Sequence, residues 1–335
     1  MQTRDLTDSF GRVVKDLRIS ITDRCNFRCL YCMPAEGMKW VPREEVLTFE
    51  EIERITRICV ENYDFTGIRL TGGEPTVRAQ LPLLVERLAK ITSPVTGKTL
   101  DIAMTTNGAT LASMAFDLKK AGLNRINISC DSLQRDRFAK ITRRDQLDKV
   151  LTGINAAKEA GFAPIKINVV VMRGVNDDEI LDFIEFGRAN KVTPRFIEFM
   201  PLDADDDWSS DKVVASDEII STIGSRYAIK SIANNSDPAS RYAFADQKGE
   251  FGVIPTVTKP FCGSCDRIRL TAEGQLRTCL FSIDEFDLRS AMRSGSTDND
   301  IKAIIERAVG LKWAGHQIGN VNFHRPSRSM SQIGG

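Results

Sequence analysis

Two groups of three cysteines stand out in a chain that has eight cysteines and two histidines among its 335 residues. The first group is Cys25, Cys29 and Cys32, in the stretch TDRCNFRCLYCMP. The second group is Cys262, Cys265 and Cys279. Cysteines are mostly kept reduced inside cells, where clustered thiols indicate metal ligation or catalysis before disulfides. Cys59 and Cys130 belong to neither group, and we expect them to be small buried side chains.

The number of ligands in each group bears on which metal it holds. A closed structural zinc site takes four protein ligands. The first group offers three thiols, and both histidines lie beyond residue 315. A cubane iron–sulfur cluster on three thiolates leaves one iron for a small molecule, so we favour that interpretation for the first group. The second group, with its C-x₂-C start, leaves zinc as a serious alternative on its own.

The elements that must position these cysteines alternate between strands and helices. Six segments have strand patterns: 15–22, 67–73, 99–108, 123–132, 164–172 and 194–200. Amphipathic helical patterns lie between them, for example at 49–63 and 177–190. This alternation predicts a parallel sheet of βαβ units, either open or as a partial barrel.

Polar residues on one face of the strands favour the barrel. Arg18 alternates with Ser20, and Arg69 alternates with Thr71; later strands repeat this with Asp101, Ala103, Thr105 and Asn107, with Asn127, Ser129 and Asp131, and with Lys166 and Asn168. Strands covered by helices on both faces would be apolar throughout. The sequence therefore predicts an α/β fold with an incomplete (β/α)6 TIM-type barrel, whose polar interior holds water or a ligand.

The pattern changes after Met200, and we predict a barrel unit at 1–215 and a smaller α+β region at 216–335. Helical patterns recur at about 283–293 and 298–313. The last twenty residues have no period, and we expect them to be mobile or ligand-dependent.

Composition excludes some classes of function. The formal net charge of +1 gives no reason to expect a nucleic-acid or membrane partner. No run of about 18 apolar residues is present, and the first residues lack the apolar core of a signal peptide. We therefore expect a cytoplasmic protein.

Four motifs together carry a resemblance: CNFRCLYC, GGEP at 72–75, the second cysteine group with RIR at 267–269, and a terminal double glycine. Over essentially its full length the chain resembles the GTP 3′,8-cyclase family of radical S-adenosylmethionine (SAM) enzymes. The resemblance implies two [4Fe–4S] clusters, SAM as co-substrate and a C-terminal region that carries the second cluster. It implies a lyase-type activity that converts GTP to (8S)-3′,8-cyclo-7,8-dihydro-GTP and SAM to 5′-deoxyadenosine and methionine, the first step of molybdenum cofactor biosynthesis.

The resemblance also implies roles for individual residues. The cluster ligands are the two cysteine groups, the first holding SAM and the second holding the guanine of GTP. Contacts to SAM are expected from Tyr31, Gly73, Ser129 and Met200, with Glu74 as an added candidate for the SAM ammonium. Contacts to GTP are expected from Arg18, Arg69, Thr105, Lys166, Asn168, Arg195, Arg267, Ile268 and Arg269. Arginine suits phosphate because its planar fork binds two oxygens.

The double glycine, Gly334 and Gly335, is expected to reach into the active site, where its carboxylate could meet an arginine such as Arg18. An external electron donor and a homodimer are implied by the resemblance alone.

Two rival functions stay open at this point. Another radical SAM enzyme, such as a peptide-modifying maturase, would have more C-terminal cysteines and a peptide groove. A zinc-dependent nucleic-acid-binding protein would have a basic face, which the balanced charge does not indicate.

Overall fold

A computed structural model of the chain describes residues 4–202, 208–233, 238–318 and 323–334. Six parallel strands form its centre, in sequence order: β1 Asp16–Ser20, β2 Gly67–Thr71, β3 Asp101–Thr106, β4 Arg125–Ser129, β5 Ile165–Val171 and β6 Thr193–Glu198. All six lie within the segments predicted from sequence to within one residue. Each strand pairs with the next one along the chain, which is the arrangement of a (β/α)6 partial barrel.

Helices connect the strands and cover their outer face: α1 Phe49–Tyr63, α2 Leu81–Ala89, α3 Ala115–Ala121, α4 Arg135–Thr142, α5 Leu147–Glu159 and α6 Ile180–Asn190. Helix α1 has the predicted bounds because Thr48 and Glu51 form a capping box at its start and Asp64 is left-handed after its end. In β1, Leu17 and Ile19 are fully buried toward the helices, whereas Arg18 between them faces the other way.

The C-terminal region extends the sheet at both edges. After α7 Ser216–Gly224, it contributes β7 Ile229–Ile232, β8 Ser240–Phe244, β9 Glu250–Ile254, β10 Arg267–Leu270, β11 Gln275–Arg277 and β12 Phe286–Asp287. Strand β9 pairs in parallel with β6, and β10 pairs in parallel with β1. The result is one sheet of 12 strands, in the order β12-β11-β10-β1-β2-β3-β4-β5-β6-β9-β8-β7. The domain division at 215 stays a prediction.

Three more helices lie in the described part of the C-terminal region: α8 Leu288–Arg293, α9 Asp298–Gly310 and α10 Met330–Ile333. The predicted helix at 283–293 is wrong for its first part, because 286–287 pair with β11 and the Asp287 carboxylate caps α8 by accepting from Ser290 N at 2.8 Å. The predicted helix at 298–313 ends early, at Gly310.

The end of the chain differs most from expectation. Instead of a segment without structure, the structure has α10 packed inside the fold, with Ser331 and Ile333 about 2% and 1% exposed. Ile333 packs against Leu202 and Phe281. In the described parts of the chain, no helix is both long and apolar enough to cross a membrane.

Candidate active site

Both cysteine groups line one cavity, of about 300 Å³, inside the barrel and below the loops that follow the parallel strands. The predicted site residues that line it are Arg18, Cys25, Cys29, Tyr31, Cys32, Arg69, Gly73, Glu74, Thr105, Ser129, Asn168, Arg195, Met200, Cys262, Cys265, Arg267, Arg269 and Cys279. Residues from both ends of the sequence therefore meet in a single, partly open cavity, where parallel-sheet enzymes place their chemistry.

The first cysteine group lies in the loop that follows β1. A tight turn, with Cys32 N and Met33 N both donating to Cys29 O at 3.0 and 3.1 Å, brings two of the thiols to one side. Phe27 N donates to the sulfur of Cys25 at 3.3 Å. A backbone N–H aimed at sulfur stabilises a thiolate rather than a neutral thiol.

The three thiols are poor acids without a metal. Burial raises the pKa of Cys25 to about 11 and that of Cys32 to about 12, and it raises the pKa of Cys29 well above its usual value. For Cys29 and Cys32, the charge of a neighbouring cysteine of the group adds to this effect. A bound metal centre would supply the positive charge that lets three close thiols ionise together.

The GGEP turn after β2 packs directly on the backbone of the cysteine loop. Gly73 N donates to Thr22 O and Glu74 N donates to Arg24 O, both at 2.8 Å. A Cβ at Gly73 would overlap the carbonyl oxygens of Asp23 and Arg24, so only glycine allows this contact.

Glu74 is buried, and its carboxylate accepts from Thr76 N at 3.0 Å, from Thr106 Oγ1 at 2.6 Å and from Asn107 N at 2.6 Å. These bonds join the ends of β2 and β3 at the cavity wall. The bonds fix the orientation of the carboxylate, and a contact to the SAM ammonium stays a prediction.

Tyr31 and Asp131 form a second support for the first group. Tyr31 donates its hydroxyl to Asp131 at 2.6 Å, and Val170 N donates to the other carboxylate oxygen at 2.8 Å. Burial raises the pKa of Asp131 to about 6. The side chain of Tyr31, which lines the cavity as Cys29 and Cys32 do, is thereby held in place.

The second cysteine group is surrounded by cations. Lys312 donates to Cys265 Sγ at 3.6 Å, and Arg12 donates to Cys262 O at 2.7 Å. Burial raises the pKa of Cys265, but the charges of Lys312 and Arg267 outweigh that effect and leave the pKa below its usual value.

His316 lies next to Cys262, although the sequence alone suggested no histidine near the second group. Its Nδ1 accepts from Ile318 N at 3.3 Å, so the proton is on Nε2, which donates to Thr256 O at 2.8 Å. Both ring nitrogens are thus engaged within the chain. In this arrangement His316 does not serve as a fourth metal ligand.

The geometry bears on which metal group fits. Among the described residues, no three cysteine, histidine or carboxylate side chains lie close enough to bind a single metal ion. Ligands of one zinc ion lie within about 4 Å of one another. A cubane cluster spreads its thiolates more widely, because each binds a different iron. The two groups of three thiols, which both line the cavity, would each suit a cubane cluster better than a single zinc ion.

Three arginines lie side by side in one row in the cavity wall, on the neighbouring strands β2, β1 and β10. Arg18 is in register with Arg69 on one side and with Arg269 on the other, on strands about 4.8 Å apart. Burial, then the charges of Arg69 and Arg267, lower the pKa of Arg18 to about 9. Burial, then the charge of Arg18, lower the pKa of Arg269 to about 9. Such crowded cations favour a polyanionic ligand.

Arg18 Nε and Asn168 Oδ1 are buried polar atoms of cavity-lining residues, and neither has a hydrogen-bond partner among the residues that the structure describes. The nearest acidic oxygen to Arg18 Nε is Asp16 Oδ1, in an ion pair at 3.7 Å. A buried polar atom without a partner is costly, and a ligand in the cavity could supply one.

Some predicted residues lie elsewhere. Lys166 is half-buried on β5, two residues before Asn168 and farther from the loops, and it does not line the cavity. The side chain of Ile268 packs in the hydrophobic core on the opposite face. Gly335 lies outside the described residues.

Gly334 reaches the barrel interior, where its carbonyl accepts from Arg269 Nη1 and its Cα packs against Ser20 and Thr71. The predicted tail therefore comes to the arginine row, although its described contact is with Arg269 rather than Arg18.

The sequence analysis did not identify Arg12 and Lys312, which donate hydrogen bonds to the backbone around the second cysteine group. It also did not identify Asp131 as the residue that positions Tyr31. Arg12 and Cys262 are 250 positions apart, and Lys312 is 45 positions from Arg267. No local pattern marks such pairs. Only Asp131 gave a signal, as a polar residue on the interior face of β4.

Two family models match the chain. The Radical SAM superfamily model matches residues 19–187, and the Molybdenum Cofactor Synthesis C model matches residues 192–318. Curated relatives named GTP 3′,8-cyclase match over nearly the whole length, among them one from Rhodopirellula baltica, 45% identical over 98% of this chain and 92% of the relative. The chain belongs to the GTP 3′,8-cyclase family of radical SAM proteins.

A second family member, from Streptomyces coelicolor, is 44% identical over 98% of this chain and 96% of the relative. Among solved structures, SuiB from Streptococcus suis bound to S-adenosylmethionine has a TM-score of 0.59 over 87% of this chain and 68% of that chain. Its identity of 14% makes this a similarity of fold alone. It agrees with the partial barrel described above.

Proposed function

We propose that the chain is a radical SAM GTP 3′,8-cyclase that acts in molybdenum cofactor biosynthesis. The observation that carries the proposal is the single cavity onto which both cysteine groups and the arginine row open. Two small molecules held there would face one another, as a reaction between SAM and GTP requires.

Cys25, Cys29 and Cys32 would hold one [4Fe–4S] cluster, and the second cysteine group would hold the other. When bound, the first cluster supplies the electron that cleaves SAM to methionine and a 5′-deoxyadenosyl radical. The chain itself orients both substrates and keeps water and oxygen from the cavity.

SAM would lie at the carboxyl ends of β1 to β6, against Tyr31, Gly73, Ser129 and Met200. The Tyr31 ring is held by Asp131, and the glycine leaves room at the cysteine loop. Glu74 has a carboxylate oxygen that accepts one described hydrogen bond, which leaves capacity for the SAM ammonium.

GTP would lie toward β10 and the arginine row. Arg18, Arg69 and Arg269 offer three guanidinium groups to the triphosphate. Further contacts would come from Thr105, Asn168, Arg195, Arg267 and the backbone of Ile268, whereas Lys166 lies outside the cavity lining. The guanine would lie against the second cluster.

The terminal glycines would close this end of the cavity during cyclisation. The contact of Gly334 with Arg269 supports the proposal, because it brings the end of the chain to the residues that would bind phosphate. Deleting Gly334 and Gly335 should abolish product while sparing both clusters and GTP binding.

The activity is tested by incubating anaerobically purified, reduced protein with SAM and GTP. We expect 5′-deoxyadenosine and a cyclised purine in equal amounts. Cys25→Ala should abolish both products, whereas Cys59→Ala, at a buried cysteine of the core, should retain both. Deoxyadenosine that forms without a cyclised purine would contradict GTP as the substrate and leave the superfamily intact.

A cytoplasmic location, an external electron donor and a homodimer belong to the same proposal. The location is supported by the reduced state that six metal-binding thiols require. The donor is needed because SAM cleavage consumes an electron. The homodimer is supported by the family resemblance.

A further inference from the structure

Lys312 is a buried cation at the second cysteine group. It follows α9, and only 3% of it is exposed. Its ammonium donates to Arg267 O at 2.6 Å, to Thr278 O at 2.7 Å and to Cys265 Sγ at 3.6 Å. All three of its donors are therefore used.

The two carbonyls belong to residues beside metal-binding cysteines. Arg267 is two residues after Cys265, and Thr278 immediately precedes Cys279. One ammonium thus joins the first residue of β10 to the residue after β11, at the open end of the β10–β11 hairpin. It ties together the two segments that carry Cys265 and Cys279.

The charge of Lys312 lacks the usual partner of a buried cation. Of the residues that the structure describes, no carboxylate forms an ion pair with Lys312; the anionic groups that favour its charged form are Cys265 and Cys279. A buried ammonium requires compensation. Cluster-bound thiolates would provide it at this position.

We propose that Lys312 is a positioning residue that holds Cys265 and Cys279 for the second cluster and raises the reduction potential of that cluster. The inference rests on the proposed function in one respect, that a cluster occupies the second cysteine group. Hydrogen bonds and positive charge at a cluster thiolate stabilise the reduced cluster, which carries one more negative charge. At the first group the described donors to sulfur are neutral, and the nearby cation, Arg28, donates to the carbonyl oxygen of Cys25 at 2.7 Å rather than to a sulfur.

The test uses the full chain, with Cys25, Cys29 and Cys32 all changed to alanine so that one cluster remains. Lys312→Met removes the charge and the donors, Lys312→Gln removes the charge but keeps two N–H donors on a shorter side chain, and Lys312→Arg keeps the charge and the donors. Lys302→Met, on the preceding helix α9, is the control. Each protein is reconstituted anaerobically, its iron and sulfide are counted, and the cluster is titrated with dithionite while its paramagnetic signal is recorded.

At a fixed solution potential, we expect Lys312→Met to lower the ratio of reduced to oxidised cluster about tenfold, which corresponds to about 59 mV for one electron. The ratio for Lys312→Gln should lie between those of Lys312→Met and the parent. The ratios for Lys312→Arg and Lys302→Met should match that of the parent. If Lys312→Met loses the cluster but Lys312→Arg keeps it, the positioning role is supported. Equal potentials in all variants, or equal cluster loss in both Lys312→Met and Lys312→Arg, would overturn the inference.

The measurement separates this inference from the proposed function, since it needs neither SAM nor GTP. A parent protein without iron at the second group would contradict the proposed cluster itself. A parent with the cluster but without cyclase activity would contradict the proposed reaction and leave the Lys312 result valid.

Discussion

Burial and the charges of neighbouring arginines disfavour the charged forms of Arg18 and Arg269 and lower the pKa of each guanidinium to about 9. A bound triphosphate would favour the protonated forms and raise both pKa values. The anion should therefore bind with constant affinity below pH 9, and binding should weaken as pH rises through 9, with uptake of protons.

Equilibrium dialysis of GTP between pH 7.5 and 10 checks this expectation, with an affinity loss of up to about tenfold per pH unit for each group that must be protonated. In Arg18→Leu, one titrating group is removed, and the decline should be shallower. An affinity that stays constant to pH 10 would contradict a role for these two arginines in binding the triphosphate.

Gly73 is a residue whose lack of a side chain is required by its neighbours. In Gly73→Ala, the new methyl group would press on the carbonyls of Asp23 and Arg24 and push the cysteine loop outward. We expect a loss of about 1–3 kcal/mol in the free energy of unfolding, measured by urea titration, together with a lower iron content.

Gly310→Ala is the matched control, because a Cβ at Gly310 meets no atom within 4 Å and its φ is not positive. It should leave stability unchanged or slightly higher. Equal unfolding midpoints for the two alanine variants would show that the GGEP turn does not need its glycine for packing.

The sequence was sufficient to identify residues whose type and spacing form a local pattern, such as the six cysteines and the arginines on alternate strand positions. It did not identify Arg12, Lys312 or the ring contacts of His316. These act through carbonyls and sulfurs that only the folded chain brings near. The same limit explains Lys166, whose alternation with Asn168 gives the face of β5 but not how deep along the barrel the cavity extends.

At the scale of elements, the strand and helix order was predictable because polar and apolar residues alternate along five of the six barrel strands, β1 to β5. The C-terminal tail was not. It has no periodicity, and its order comes from contacts with distant segments: Ile333 enters an apolar cluster, and Ser331 donates to Met38 Sδ at 3.1 Å.

Arg328 is the charged residue that fastens this tail. Its guanidinium is paired with Glu273, in the turn after β10, and with Glu285, before β12, to which Nη2 donates at 2.8 Å. Arg328→Met should raise the population of undocked tail about tenfold, since hydrogen bonds to charged groups contribute on the order of 1.5 kcal/mol.

The readouts for this variant are the rate of carboxypeptidase trimming, which should rise, and product formation, which should fall while the iron content stays constant. Arg135, on α4, forms an exposed ion pair with Asp145. Arg135→Met should change neither the trimming rate nor product formation. A trimming rate for Arg328→Met equal to that of the parent would show that the ion pairs do not hold the tail.

For the molecule as a whole, one continuous sheet brings the two cysteine groups together. Strand β1 leads directly into the first group, and β10, its parallel neighbour, lies between two cysteines of the second. The sequence predicted a barrel and an additional C-terminal region. It did not predict that this region supplies strands to both edges of the barrel sheet, because pairing between distant strands leaves no local pattern.

The most direct test of a shared cavity with two distinct metal sites uses paramagnetic resonance of the reduced clusters. Two variants each keep one cysteine group, and each is recorded with SAM alone and with GTP alone. We predict that SAM alters the signal only when Cys25, Cys29 and Cys32 remain, and that GTP alters it only when Cys262, Cys265 and Cys279 remain. Signals that neither molecule alters, or one cluster that responds to both while the other responds to none, would contradict the account.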